Sequence, residues 1–204
     1  VLPRSEIPAV FVMPGTEVGG IERGQHWTSD YCGTCHGTGA VGPYDGWRGS
    51  LMAQAGRDPL FLAQVATANQ DVPGVGYYCL RCHVPNSVIS GNAYDPTGDS
   101  LDDFDRDGVA CHFCHSMIDP VGERGTGWMD LLDTQTLDSL SSRPQHFGNS
   151  MFVLAPGGQR RGPLRPETIA LPPHEVGYSD FYRSSDLCGT CHVVGNPALL
   201  RNPD

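Results

Sequence analysis

The placement of the cysteines constrains this chain more than any other feature. Its 204 residues hold eight, in four pairs: Cys32/Cys35, Cys79/Cys82, Cys111/Cys114 and Cys188/Cys191. Each pair encloses two residues and is followed at once by a histidine, at His36, His83, His115 and His192. Histidine fills about 4% of the positions, so four hits in four by chance is roughly a one-in-400,000 event. The pattern Cys-x-x-Cys-His attaches c-type haem: two thiols become thioethers to the porphyrin, and the imidazole takes an axial position on iron. The spacing suits the chemistry, because helix positions i, i+3 and i+4 share one face.

Two other uses of paired cysteines compete. Zinc ribbons separate their pairs by about 15–20 residues, whereas the intervals here run over 36–78, 83–110 and 115–187. Eight cysteines in an exported chain would also make four disulfides. Neither use asks for a histidine after every pair, so four covalent c-type haems are expected.

That expectation accounts for an otherwise awkward composition. Hydrophobic residues make up 39% of the chain, which is lean for a core of this size, and there are 26 Gly and 17 Pro. Such a sequence cannot be dominated by long regular elements. With flat apolar macrocycles supplying much of the interior, the fold is expected to be mainly irregular. A few short α-helices would wrap around four covalent haems, with little or no β-sheet. The net charge is −10, and all thirteen basic residues are Arg, which excludes a nucleic-acid footprint. No apolar run approaches the ~20 residues of a transmembrane segment. Val1-Leu2-Pro3-Arg4 reads as a processed or trimmed start. Covalent haem attachment is generally completed outside the cytoplasm, so an extracytoplasmic location is expected, in the periplasm or at the cell surface.

Residues 1–25 are punctuated by Pro and Gly and lean toward β structure at Ala9-Val10-Phe11-Val12, predicting an extended N-terminal arm. Residues 26–204 are expected to form a single tetrahaem domain. The best helical pattern covers 44–69, with Trp47, Leu51, Ala55 and then Leu60, Phe61 and Val65 at helical spacing. Asp58-Pro59 divides it, Pro being suited to a first helical turn. A short helix is expected over 128–140. The short interval between the second and third motifs predicts that haems two and three are direct neighbours.

The sequence resembles the multihaem cytochromes c of bacterial and archaeal electron-transfer chains. The resemblance is carried by the four motifs, by residues 47–53 through Asp58-Pro59, by Gly108-Val109-Ala110-Cys111 and by Ser184-Ser185-Asp186-Leu187. It covers most of 26–197 and none of 1–25. It implies electron transfer as a soluble shuttle, as a subunit of a larger respiratory complex, or as an extracellular cytochrome polymerised into a filament. The partners implied are redox proteins or identical subunits joined end to end, and relatives often extend further than this chain.

Four histidines remain after the proximal four: His26, His112, His146 and His174. They match the number of distal iron positions, which favours bis-histidine ligation. By the resemblance, His26 and His174 are the strongest candidates, since each lies shortly upstream of a motif where family distal ligands often sit. His146 follows. His112 lies inside the third motif, about 100° around the helix from its haem-binding face, so it serves only a neighbouring haem. Met52 competes, because relatives often carry an iron-binding His at that place, and a thioether there raises the potential. The expected ligand set is His26, His146 and His174, with the fourth position divided between His112 and Met52.

The segment Asp103-Phe104-Asp105-Arg106-Asp107-Gly108 opens like a calcium loop. Cys114 occupies its twelfth position, where an EF-hand carries Glu, so only a simpler calcium site is compatible. Arg160, Arg161 and Arg165 are candidate partners for haem propionates. Electron transfer without catalysis is the expected function. The alternative is a multihaem oxidoreductase acting on a small nitrogen or sulfur compound, which needs an iron with an open position.

Overall fold

The computed structural model describes residues 6–37, 42–123, 125, 127–165, 167 and 174–199. Of the described residues, about 50% are helical and 6% lie in sheet. Short helices joined by irregular chain are what the Gly and Pro content permits. The chain divides into two compact units: Val1–Val12 with Val18–Cys114, and Met13–Glu17 with His115–Asp204. Among the described residues, no helix is long and apolar enough to cross a membrane.

The first unit contains α1 (Ser29–His36), α2 (Pro43–Arg48), α3 (Leu51–Gln54), α4 (Pro59–Asp71), α5 (Gly76–His83) and α6 (Asn86–Ser90). The helix expected over 44–69 is interrupted twice. At Pro59, as the pattern predicts, Asp58 caps α4 by accepting from the Leu60 N–H at 2.9 Å. A second break falls at Gly49, after which the Ser50 hydroxyl accepts from the Ala53 N–H at 3.3 Å and starts α3 anew. Leu80, Val84 and Leu101 form the local core, with Phe61 and Leu62 of α4 packed against it. Asn69 joins α4 to α5: its amide donates to Pro96 O at 2.7 Å and accepts from the Gly76 N–H at 3.1 Å. A Cβ on Gly76 would lie 1.8 Å from Pro96 O, so this close approach requires glycine.

The second unit contains two small sheets. β1 (Met117–Ile118) pairs antiparallel with β2 (Val153–Leu154), and β3 (Arg160–Gly162) pairs parallel with β4 (Val176–Tyr178). Its helices are α8 (Trp128–Asp138), at the place expected from the sequence, and α9 (Ser185–His192). Ile118, Leu137, Val153 and Ala155 form the core, with Leu140 against it. Between the two units in sequence, α7 (Cys111–Ser116) carries the third motif.

Residues 6–25, expected as an extended arm, are instead packed. Ile7, Phe11, Val18 and Ile21 are buried in the first unit and Met13 in the second. Short 3₁₀ turns form at Ala9–Phe11 and Arg23–Gln25. The Thr16 hydroxyl accepts from the Leu154 N–H at 2.8 Å, and the Thr16 N–H donates to Phe152 O at 2.9 Å. Burial of these apolar side chains outweighs the local β preference, at roughly 25 cal/mol per Å² removed from water. The segment is therefore tied to its own chain. The first five residues, including the start at Val1–Arg4, lie outside the described residues.

Candidate haem-attachment sites

All four motifs are helical, on α1, α5, α7 and α9, so each brings two sulfurs and one imidazole to one side of a helix. His36, His83, His115 and His192 are all exposed. The eight cysteines are free thiols, Cys35 and Cys188 exposed and the other six half-buried. Large apolar side chains lie at the surface beside them in sequence, Tyr31 before the first motif and Val193 and Val194 after the fourth. An outward-facing imidazole with two thiols and neighbouring apolar surface fits the flat face of a porphyrin.

Local contacts orient the proximal rings. His115 Nδ1 lies 2.7 Å from Arg161 O. A carbonyl only accepts, so Nδ1 carries the proton and the lone pair is on Nε2, the tautomer that binds a metal. The His115 ring also stacks with Tyr182 at 5.7 Å and 13°, and the Tyr182 hydroxyl donates to Met117 O at 3.0 Å. His83 stacks on Phe61 at 4.1 Å and 7°. The end of α9 is held by two main-chain bonds, Asn149 N–H to Val193 O and Ser150 N–H to Thr190 O, both 2.8 Å. Asn149 and Ser150 adopt φ of 48° and 54° and are fully buried. Such left-handed residues cost about 1–3 kcal/mol each and persist where surrounding contacts over-determine them.

The third motif meets the first. The Ser29 hydroxyl, at the start of α1, accepts from the Cys111 N–H at 3.0 Å, and the Ser29 N–H donates to Asp107 Oδ2 at 2.8 Å. The Trp27 N–H donates to His112 Nδ1 at 2.8 Å, and the His26 and His112 rings stack at 4.0 Å and 9°. The segment before Cys111 is fixed in turn by Trp47 Nε1–H to Val109 O at 2.8 Å and by the Val109 N–H to Met52 O at 2.9 Å. Gly108 has φ +73°, and a Cβ there would lie 2.4 Å from Met52 O. Residues 47–53 and 108–111, which carry the family resemblance, thus pack against each other. The second motif's helix packs on α4 and α6.

A hydrogen bond from the Cys32 thiol pulls the Cys111 thiol down to about 7, whereas burial pushes Cys79 up from its usual value of 9.0. The thiolate is the nucleophile, so these opposite shifts separate the two in reactivity. In chain produced without haem, iodoacetamide should modify Cys111 about tenfold faster than Cys79 at neutral pH, after allowing for the lower nucleophilicity of the more acidic thiol. Peptide mass spectrometry over a pH series tests this. Equal rates, or a Cys111 profile rising only in the alkaline range of an ordinary thiol, would remove the contact.

The distal candidates differ in chemical state. His112 Nδ1 accepts from a backbone N–H, so in the neutral ring the proton is on Nε2, the opposite tautomer to His115. His174 Nδ1 lies 3.3 Å from Glu175 O and is therefore the donor, leaving the lone pair on Nε2. His146 Nε2 is buried with no hydrogen-bond partner. His26 is buried in its stack with His112. Met52 is half-exposed on α3.

In the acidic loop, Asp105 is fully buried and accepts from Ser90 Oγ, Asn92 Nδ2 and the Asp102 N–H, so N–H and O–H donors close the loop. The three arginines singled out from the sequence engage protein groups. Arg161 forks onto Asp133, Arg160 Nη1 donates to Gly158 O at 2.6 Å, and Arg165 lies over the Tyr178 ring at 4.2 Å. Of the groups that position the motifs, Ser29, Tyr182 and the Arg161 carbonyl carry no sequence signature, while Asp107 and Phe61 stand out only as parts of an acidic loop and a helical pattern. The position of Ser29, three residues before Cys32 and at the start of a helix, is the one local hint. No family model matches the chain, and neither a curated protein nor a solved structure matches it.

Proposed function

We propose that this chain is a tetrahaem c-type cytochrome that transfers electrons outside the cytoplasm. The observation that carries the proposal is that all four Cys-x-x-Cys-His motifs are helical and present an exposed imidazole with two free thiols. Cys32, Cys35 and His36, Cys79, Cys82 and His83, Cys111, Cys114 and His115, and Cys188, Cys191 and His192 would hold the four haems. Bound there, the haems supply one-electron chemistry at potentials tuned by axial ligand and burial. The chain's own part is to fix them. Arg161 O sets the His115 tautomer, Phe61 and Tyr182 brace two of the imidazoles, and residues 149–150 hold the end of α9.

Intact mass of the haem-loaded chain under denaturing conditions is expected to exceed the 22.0 kDa polypeptide by about 2.5 kDa, one haem per motif. Retention of fewer than four haems would refute the tetrahaem reading. Carbon monoxide added to the reduced protein separates carrier from reductase: substantial binding means an open iron and favours the oxidoreductase alternative.

A further inference from the structure

We infer that the first and third motifs, although the second lies between them in sequence, hold the most closely apposed haem pair of this chain. The inference rests on the tetrahaem reading, and the observation beneath it is the junction of the N-terminal ends of α1 and α7. Ser29 ties the two helices directly, bonding through its hydroxyl to Cys111 and through its N–H to Asp107. The Trp27 N–H reaches His112, and the His26 and His112 rings stack beneath the same junction. Ser29 is fully buried and His112 nearly so, so this is packed interior rather than a loose surface encounter. Within it, the Cys111 N–H bonds to Ser29, three residues before Cys32, so the first cysteines of the two motifs, Cys32 and Cys111, are brought to one junction.

Each of these two cysteines is the first of its motif, and in a c-type cytochrome each sulfur would be bonded to a carbon borne on a porphyrin rim. Two such sulfurs held at one junction bring the two rims together there. Sequence distance gives the opposite ranking, since Cys111 lies 79 positions after Cys32 but only 29 after Cys82; the fold closes the longer interval by making residues 107–112 a ledge on which the start of α1 rests. Electrons entering at either of these two sites would therefore be shared first with the other.

A structure of the haem-loaded full chain tests this directly. The expected result is that the nearest iron to that of the first motif belongs to the third. A nearest neighbour at the second or fourth motif overturns the inference. Density for fewer than four haems would instead count against the tetrahaem reading, so the two failures are distinguishable. Soret circular dichroism provides a second measurement in solution. The wild type should show a bisignate couplet that is lost when the third site is removed (Cys111→Ala with Cys114→Ala) and retained when the fourth is removed (Cys188→Ala with Cys191→Ala). Loss in the fourth-site variant with retention in the third-site variant would contradict the pairing. Should the third-site variant fail to fold, the iron–iron ranking in the wild type decides alone.

Discussion

Carbon monoxide added to the reduced, haem-loaded chain should find one newly open iron in His146→Ala and none in His112→Ala. On the tetrahaem reading, the spare histidines compete for distal positions, and hydrogen-bond direction separates them. An imidazole that binds iron through Nε2 donates its Nδ1 proton to a fixed acceptor. His112 cannot do so in its present place, because the Trp27 N–H already donates to its Nδ1. His146 has a buried Nε2 with no hydrogen-bond partner, so no protein donor competes with an iron for that nitrogen. Removing it should expose one iron of the four, so about a quarter of the haem would take up the gas. His112→Ala should instead read out as stability, about 1–3 kcal/mol for a buried ring that loses a hydrogen bond. Carbon monoxide uptake in His112→Ala equal to that in His146→Ala would reverse the assignment. With His112 withdrawn, Met52 becomes the favoured fourth ligand. The oxidised protein should then show a weak far-red charge-transfer band that disappears in Met52→Ala.

The motifs were legible because their chemistry is local. Cys-x-x-Cys-His fits within two turns of one helix, and the structure builds all four as helix. The cap at Asp58-Pro59 and the helix α8 were legible for the same reason, since each depends on a few adjacent residues. What the sequence concealed depends on long-range contacts. Cys111 looks closer to Cys82 than to Cys32, yet a single serine hydroxyl joins it to the first motif across 82 positions. Thr28-Ser29-Asp30 reads as an ordinary helix start, and only its place three residues before Cys32 hints at that serine. The packing of 6–25 is hidden in the sequence because its Pro and Gly spacing suggests an extended arm, while Ile7, Phe11 and Ile21 are spaced irregularly and reveal themselves as core only by burial. Arg161 shows the same effect of distance: its side chain is fixed by Asp133, 28 residues earlier on α8, a pairing that no local pattern marks.

Asp133→Asn should be the most destabilising single polar substitution in the second unit, at about 3–5 kcal/mol. The Arg161 and Asp133 side chains are only 1% and 11% exposed, and the guanidinium forks onto the carboxylate through Nε and Nη2. A further nitrogen, Nη1, is buried with no partner, so the carboxylate is the principal compensation for the buried charge. Neutralising it leaves a guanidinium in a dry setting, whereas removing both charges does not. Thermal melting of the haem-loaded protein should show Asp133→Asn lowered by about 10 °C. The double variant Asp133→Leu with Arg161→Met should melt close to the wild type or above it, as apolar replacements of buried pairs often do. A single variant melting within a degree or two of the wild type would show that the pair carries little. The same double variant also separates two roles of one residue. Arg161 meets Asp133 through its side chain but meets His115 through its main-chain carbonyl, which the substitution to Met leaves in β3. On the tetrahaem reading, the iron at the third motif should therefore keep its low-spin spectrum in the double variant. Conversion of one iron to high spin there would mean that the side-chain pair, and not β3 alone, sets the position of the carbonyl that orients His115.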